Sequence, residues 1–158
     1  MHWILKPESG REPFFRGVHG ALRPGGTFGF EMGGMGNVAE IRAVLLSTIG
    51  RRVGLEKAVA TDPWFFPDEE WMKEMLEEKI GGFRVERVER EFRPTRVDKG
   101  GIEGWVRLMG KQFFDVLGVG ERDECVREVC GVLEEVCRSP SGGDWIGYVR
   151  LRCLAVKM

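Results

Sequence analysis

A chain of 158 residues that is 42% apolar has the material for one ordinary globular domain spanning residues 1–158. Its 24 Lys and Arg stand against 25 Asp and Glu, so no overall field draws it to nucleic acid or to an anionic membrane, and neither partner is expected. No stretch approaches the roughly 20 apolar residues of a membrane-spanning helix, and residues 1–8 lack a basic segment followed by an apolar one, which makes a cytoplasmic location the expectation.

Ser9 followed by Glu12 has capping-box spacing, and Phe15, Val18 and Leu22 then recur at helical intervals. Arg23-Pro24-Gly25-Gly26 ends that run, which predicts a helix over residues 10–22. Thr27-Phe28-Gly29-Phe30-Glu31-Met32 is short, partly aromatic and bounded by glycines, and reads as a buried central strand. Gly33-Gly34-Met35-Gly36-Asn37 follows, then an apolar helical stripe of Val38, Ile41, Leu45, Ile49 and Val53. The glycine loop lacks both the Lys-Ser/Thr pair of a P-loop and GxGxxG spacing, so nucleotide phosphate is not expected there.

Asp68 is placed to cap a helix whose buried face is Trp71, Met72, Met75, Leu76 and Ile80, closed by Gly81-Gly82. Phe83 and Val85 alternate with charged residues while Val88 and Phe92 fall in the opposite phase, so a strand over about residues 83–92 is expected to bulge near Glu86 or Arg87. Short helices carry Trp105 and Leu108, then Phe113, Phe114 and Leu117. The clearest stripe, Val126, Val129, Cys130, Leu133, Val136 and Cys137, predicts a helix over 121–137. After a Ser-Pro-Gly loop, residues 145–157 alternate as a long strand, with Val149, Leu151, Cys153 and Ala155 on one face and Arg150 and Arg152 on the other. Cys125, Cys130, Cys137 and Cys153 include no CxxC pair and have only His2 and His19 as imidazole companions, so reduced, mostly buried thiols are expected and a metal site is not.

The order is α/β with three clear strands, few for a self-sufficient sheet. Met1-His2-Trp3-Ile4, a helix containing Phe14-Phe15, and Leu22-Arg23-Pro24-Gly25-Gly26-Thr27-Phe28 together resemble the region after the fourth strand of class I S-adenosylmethionine-dependent methyltransferases, where L-x-P-G-G leads into the fifth strand. Trp64-Phe65-Phe66-Pro67, Gly82-Phe83-Arg84-Val85-Glu86, Arg93-Pro94-Thr95, Gly104-Trp105-Val106-Arg107 and Tyr148-Val149-Arg150-Leu151-Arg152 follow in order and are similar to the trans-aconitate methyltransferase-like branch. The resemblance covers essentially the whole chain.

It implies the C-terminal half of that domain: a partial Rossmann-like fold of about three strands, the fifth to seventh of the family sheet with the last antiparallel, and flanking helices. It also implies methyl transfer from S-adenosylmethionine to a small-molecule acceptor, with a carboxylate as the methylated group. The family's Gly-rich cofactor loop, ribose-binding acid and adenine pocket have no counterpart in these residues, so tight cofactor binding and activity of this chain alone are not expected. A non-catalytic truncated paralogue or a protein-interaction module is the competing reading, and self-association through an exposed strand edge is expected. By the resemblance His2 and Trp3 lie at the reaction chamber, and Glu31 and Met32 end a strand beside the substrate, as open α/β sheets generally place ligands. Trp105, Arg107, Tyr148 and Arg150 are candidates for lining a carboxylate pocket, since Arg offers a bidentate fork and aromatic rings an apolar wall. The plain alternatives are core packing for the rings and strand-face charge for the arginines.

Overall fold

A computed structural model describes all of residues 1–158. They form two compact units: Met1–Asn37, Trp64–Arg93 and Tyr148–Met158 make the first, Val38–Pro63 and Pro94–Gly147 the second. No helix in the chain is long and apolar enough to cross a membrane.

In the first unit, helix α1 (Glu8–Ala21) starts two residues before the expected position. Its N-cap is Pro7, whose φ of −66° is already helical, and no side chain caps the end. The Ser9–Glu12 box therefore does not form, because Ser9 lies inside the first turn. Beyond Leu22 the Gly26 N–H donates to the Arg23 carbonyl at 2.8 Å, with Pro24 second and Gly25 third at φ +73°. That is a type II turn, and its positive φ is what Gly25 supplies.

The turn delivers strand β1 (Thr27–Gly33), which pairs antiparallel with the last strand of the chain, residues Trp145–Lys157, from Thr27↔Val156 to Gly33↔Arg150. A further strand, β2 (Phe83–Arg96), lies on the other side of the last strand, here β3, so the sheet order is β1-β3-β2. The expectation of a central β1 is corrected: β1 is an edge strand, and the central strand is β3. Met32 is buried and Phe28 and Phe30 half-buried, while Thr27, Gly29 and Glu31 are exposed, the alternation of a strand covered on one face.

Asp68 caps helix α4 as expected, its Oδ1 accepting the Trp71 N–H at 2.9 Å over Glu69–Lys73. The helix widens into a π-helical turn over Glu74–Ile80, which the apolar spacing does not distinguish from α. Glu77 accepts the Val85 N–H at 2.8 Å and so ties this turn to β2. Along β2, Phe83 is buried and Val85 and Val88 are half-buried with Glu86 and Arg87 both exposed, so the inward phase switches where the sequence pattern placed it. The strand runs four residues past residue 92, and Phe92 is 68% exposed. Leu5, Phe15, Met32, Met72, Met75, Leu76, Phe83, Leu151, Cys153 and Ala155 form the core of this unit.

The second unit is helical: α2 (Ala39–Val53), α3 (Leu55–Thr61), α5 (Gly101–Met109), α6 (Lys111–Phe114) and α7 (Val119–Cys137), with α2 packed on α3 and α7, and α5 on α7. Cys125, Val126, Val129, Cys130, Leu133 and Cys137 are the buried face of α7, whereas Val136 is 61% exposed. Val136 thus falls off the expected stripe, and Cys125 takes its place on it. Glu128 of α7 accepts from Arg52 at 2.7 Å and also from Arg51. Buried Asp62 pairs with Arg42 at 2.5 Å. Val38 enters α2 with φ +47° and ψ +40°, a left-handed conformation costly for a β-branched residue and held here by its burial.

Phe15→Ala is expected to destabilise the chain by about 3–5 kcal/mol in chemical denaturation, as large-to-small core changes do. Phe92→Ala, at an exposed ring, is expected to stay within about 0.5 kcal/mol.

Candidate functional site

The register of β1 on β3 sets Glu31 opposite Arg152, with Arg150 diagonal to it on the same face. Arg150 Nε donates to Glu31 Oε1 at 2.9 Å and Arg152 Nε to Glu31 Oε2 at 2.8 Å. Arg93 stands 4.0 Å from Oε2, and Arg152 also reaches Glu91 at 2.5 Å. The hydrogen bonds from Arg152 and Arg150 hold the Glu31 carboxyl below the ordinary carboxylate range, so at neutral pH it is an ionised acceptor and unsuited to donate a proton.

Beside the carboxyl end of β1 lies the N-terminal turn, where the His2 carbonyl accepts the Phe65 N–H at 3.1 Å. The His2 ring meets Trp3 edge-on at 4.7 Å and Phe66 at 5.5 Å, and Phe66 stacks on Trp64 at 5.9 Å. Trp3 is 49% exposed. His2 Nδ1 is buried with no hydrogen-bond partner. Burial first, then the N-terminal ammonium and the Arg150 charge, push the imidazole down to about 4, so it is neutral at physiological pH.

The glycine loop follows β1 directly. Its Gly34, Met35 and Asn37 amides donate to the carbonyls of Val149, Pro67 and Gly34 at 3.0, 2.9 and 2.9 Å. Buried Asn37 also accepts the Val149 N–H at 2.9 Å through Oδ1, and Arg90 donates to the Met35 carbonyl at 3.2 Å while pairing with Glu69 at 2.5 Å. A Cβ on Gly33 would come within 2.6 Å of the Phe66 ring, and one on Gly34 within 3.1 Å of Arg90. These glycines let side chains close over the backbone; they do not open a cradle. With three amides committed and the space above two glycines filled, the loop does not fit S-adenosylmethionine, and no step through that cofactor is assigned to these residues.

Of the residues singled out in the sequence, His2, Trp3, Glu31, Met32, Tyr148 and Arg150 belong to the first unit and Trp105 and Arg107 to the second. Glu31 and Arg150 are brought into direct contact. Met32 is buried in the apolar core, and Tyr148 is half-buried, as is Trp105. Arg107 is held by Glu103 at 2.7 Å and Asp123 at 2.8 Å. Arg152, Asn37, Phe66 and Arg90 complete the arrangement around the end of β1. The alternation that pairs Arg150 with Arg152 on one strand face was a usable signal for Arg152, whereas nothing local marks Asn37. Burial raises the thiol of Cys125, pushes Cys130 and Cys137 up to about 11 and Cys153 up to about 12, so none is poised as a nucleophile.

No family model matches the chain. The fold is mixed α/β, a three-stranded sheet with flanking helices in which the last strand runs antiparallel to β1. The chain is 34% identical, over a 164-residue alignment, to an uncharacterized methyltransferase of Schizosaccharomyces pombe, a match that takes in 99% of this chain. It spans 59% of that protein's length.

Acidification is expected to loosen this end of the first unit in two stages. His2 binds its proton less readily folded than unfolded, so its contribution to stability is complete above its ordinary value of 6.5 and is lost as the pH falls towards about 4. Glu31, also depressed by folding, contributes above its ordinary value of 4.5 and fails as the pH falls through its lower folded value. Carboxyl-carbon and imidazole NMR titrations should show both depressions, and Arg152→Gln should return Glu31 towards 4.5.

Proposed function

We propose that the chain is the C-terminal portion of a class I S-adenosylmethionine-dependent methyltransferase of the trans-aconitate methyltransferase-like branch, which O-methylates a carboxylate of a small organic acid. The observation that carries this reading is the 34% identity to a methyltransferase along 99% of the chain. The ordered motifs from Leu22-Arg23-Pro24-Gly25-Gly26 to Tyr148-Val149-Arg150 support the branch.

In this reading S-adenosylmethionine supplies the methyl group and is held by parts of a longer fold. These residues supply the acceptor side, with His2, Trp3, Glu31, Tyr148 and Arg150 as its nearest elements, and the 158 residues alone are inactive. The edge of β1 that has no partner strand is where further sheet is added. Where nothing else covers that edge, a second copy of the chain does. A second reading, a non-catalytic interaction module, rests on the edge of β1 that has no partner strand.

The test begins with the intact mass of the native product, followed by assay of that product and of the 158-residue chain with methyl-labelled S-adenosylmethionine and a panel of short di- and tricarboxylic acids. A product longer than 17.9 kDa that forms methyl esters, with the chain alone at least roughly 100-fold slower, is the expected result. A native product of 17.9 kDa that transfers no methyl group ends the enzymatic reading. Sedimentation of the isolated chain should reveal species heavier than 17.9 kDa, and a well-dispersed monomer removes the argument from the open edge.

A further inference from the structure

The loop that follows α7, in the second unit, takes no part in the candidate site or in methyl transfer. It turns back on itself: Arg138 and Asp144 form an isolated antiparallel bridge, and between them the Ser139 N–H donates to the Gly143 carbonyl and the Gly142 N–H to the Ser139 carbonyl, both at 2.9 Å. Gly142 and Gly143 close so short a turn with φ of +94° and +80°. Pro140, Ser141 and Gly142 are exposed at its tip, and Ser139 is half-buried at its base.

Donors gather on this turn from two directions. Within it, Ser139 Oγ lies 2.8 Å from Ser141 Oγ and accepts the Ser141 N–H at 3.3 Å. From the end of β2, Arg96 lies across Gly143: a Cβ on that glycine would come within 2.8 Å of Arg96 Nε and 3.1 Å of Nη2, so glycine is what admits the guanidinium. Arg96 and Ser139 therefore both border Gly143, and Arg96 is exposed and forms no ion pair. Arg138, next to Ser139, meets exposed Glu135 only at 3.5 Å, long for a charge-assisted bond.

We propose that Ser139 is a phosphorylation site for a proline-directed serine kinase, with Arg96 and Arg138 receiving the phosphate. Pro140 supplies the recognition, since it offers no backbone N–H and fixes φ just after the acceptor, whereas Ser141 is followed by Gly142. In the transfer Ser139 Oγ attacks the γ-phosphorus of ATP. The Oγ–P bond forms as the bond from that phosphorus to the bridging oxygen breaks, ADP leaves, and the hydroxyl proton passes to the base of the kinase. The product is an anion just beyond the C-terminus of α7, where the last helix carbonyls and the Asp144 and Glu135 carboxylates oppose it. The two arginines therefore decide the outcome: paired with them the phosphate ties the loop to the end of β2, and without them it loosens the loop. The site is independent of the methyltransferase reading.

The experiment treats the folded 158-residue chain with ATP and a purified proline-directed serine/threonine kinase, and follows the product by intact mass, peptide mapping and phosphorus NMR. A single phosphate on Ser139 is expected. Ser139→Ala and Pro140→Ala should lose it, and Ser141→Ala should keep it. In the phosphorylated chain Arg96→Gln should raise the pH at which the phosphate loses its second proton by roughly half a unit or more, because a facing positive charge is gone. Arg96→Lys should keep part of that depression, and Arg23→Gln, in the first unit, should leave it unchanged.

No incorporation into the folded chain, or undiminished incorporation in Ser139→Ala, would overturn the site. Phosphate on Ser139 that titrates identically in the wild-type and Arg96→Gln chains would overturn the role given to Arg96 and with it the proposal.

Discussion

The antiparallel pairing of β1 with β3 is the constraint on which the rest of the first unit depends. The register from Thr27↔Val156 to Gly33↔Arg150 joins residues more than a hundred positions apart. A slip by one residue would turn Leu151, Cys153 and Ala155 out of the core and carry Arg150 and Arg152 into it. The same register sets Glu31 opposite Arg152, so the pairing that closes the apolar core also builds the charged face above it. Sheet and candidate site are two sides of one alignment.

The loop after β1 extends that logic. Asn37 and the Gly34 amide bond to the two polar groups of Val149, fastening the loop to β3 one residue from Arg150. The close approach of Phe66 to Gly33 and of Arg90 to Gly34 then leaves no opening over those two glycines. A strand, a glycine turn and a helix are the outward signs of a nucleotide loop, yet the hydrogen bonds and packing here are those of a structural joint. The charged and aromatic side chains gather instead on the exposed sheet face, at Glu31, Arg150 and Arg152, and at the turn around His2.

Much of this was legible in the sequence because it is local. The Pro24-Gly25 turn, the Asp68 cap, the phase change in β2 and the 145–157 strand each follow from neighbouring residues, and the structure has them at or near those positions. The illegible parts are non-local or differ subtly in local energy. Whether β1 is central or an edge depends on which strands surround it, and its own alternation is compatible with both. The partner of Arg150 lies 119 residues away and that of Asn37 112, so neither bond leaves a trace in local spacing. The π-helical turn at Glu74–Ile80 has the same apolar spacing as an α-helix over seven residues.

The buried cysteines give the molecule an internal record of its own opening. Burial keeps all four thiols protonated, so an alkylating reagent has little thiolate to attack while the fold is closed. Cys153 sits in the first unit, and Cys125, Cys130 and Cys137 sit together along α7 in the second. Labelling at Cys153 therefore clocks the exposure of the sheet, and labelling on α7 clocks the exposure of the helices. Each unit carries its own reporter of local unfolding, written in residues that the chemistry of the site does not use.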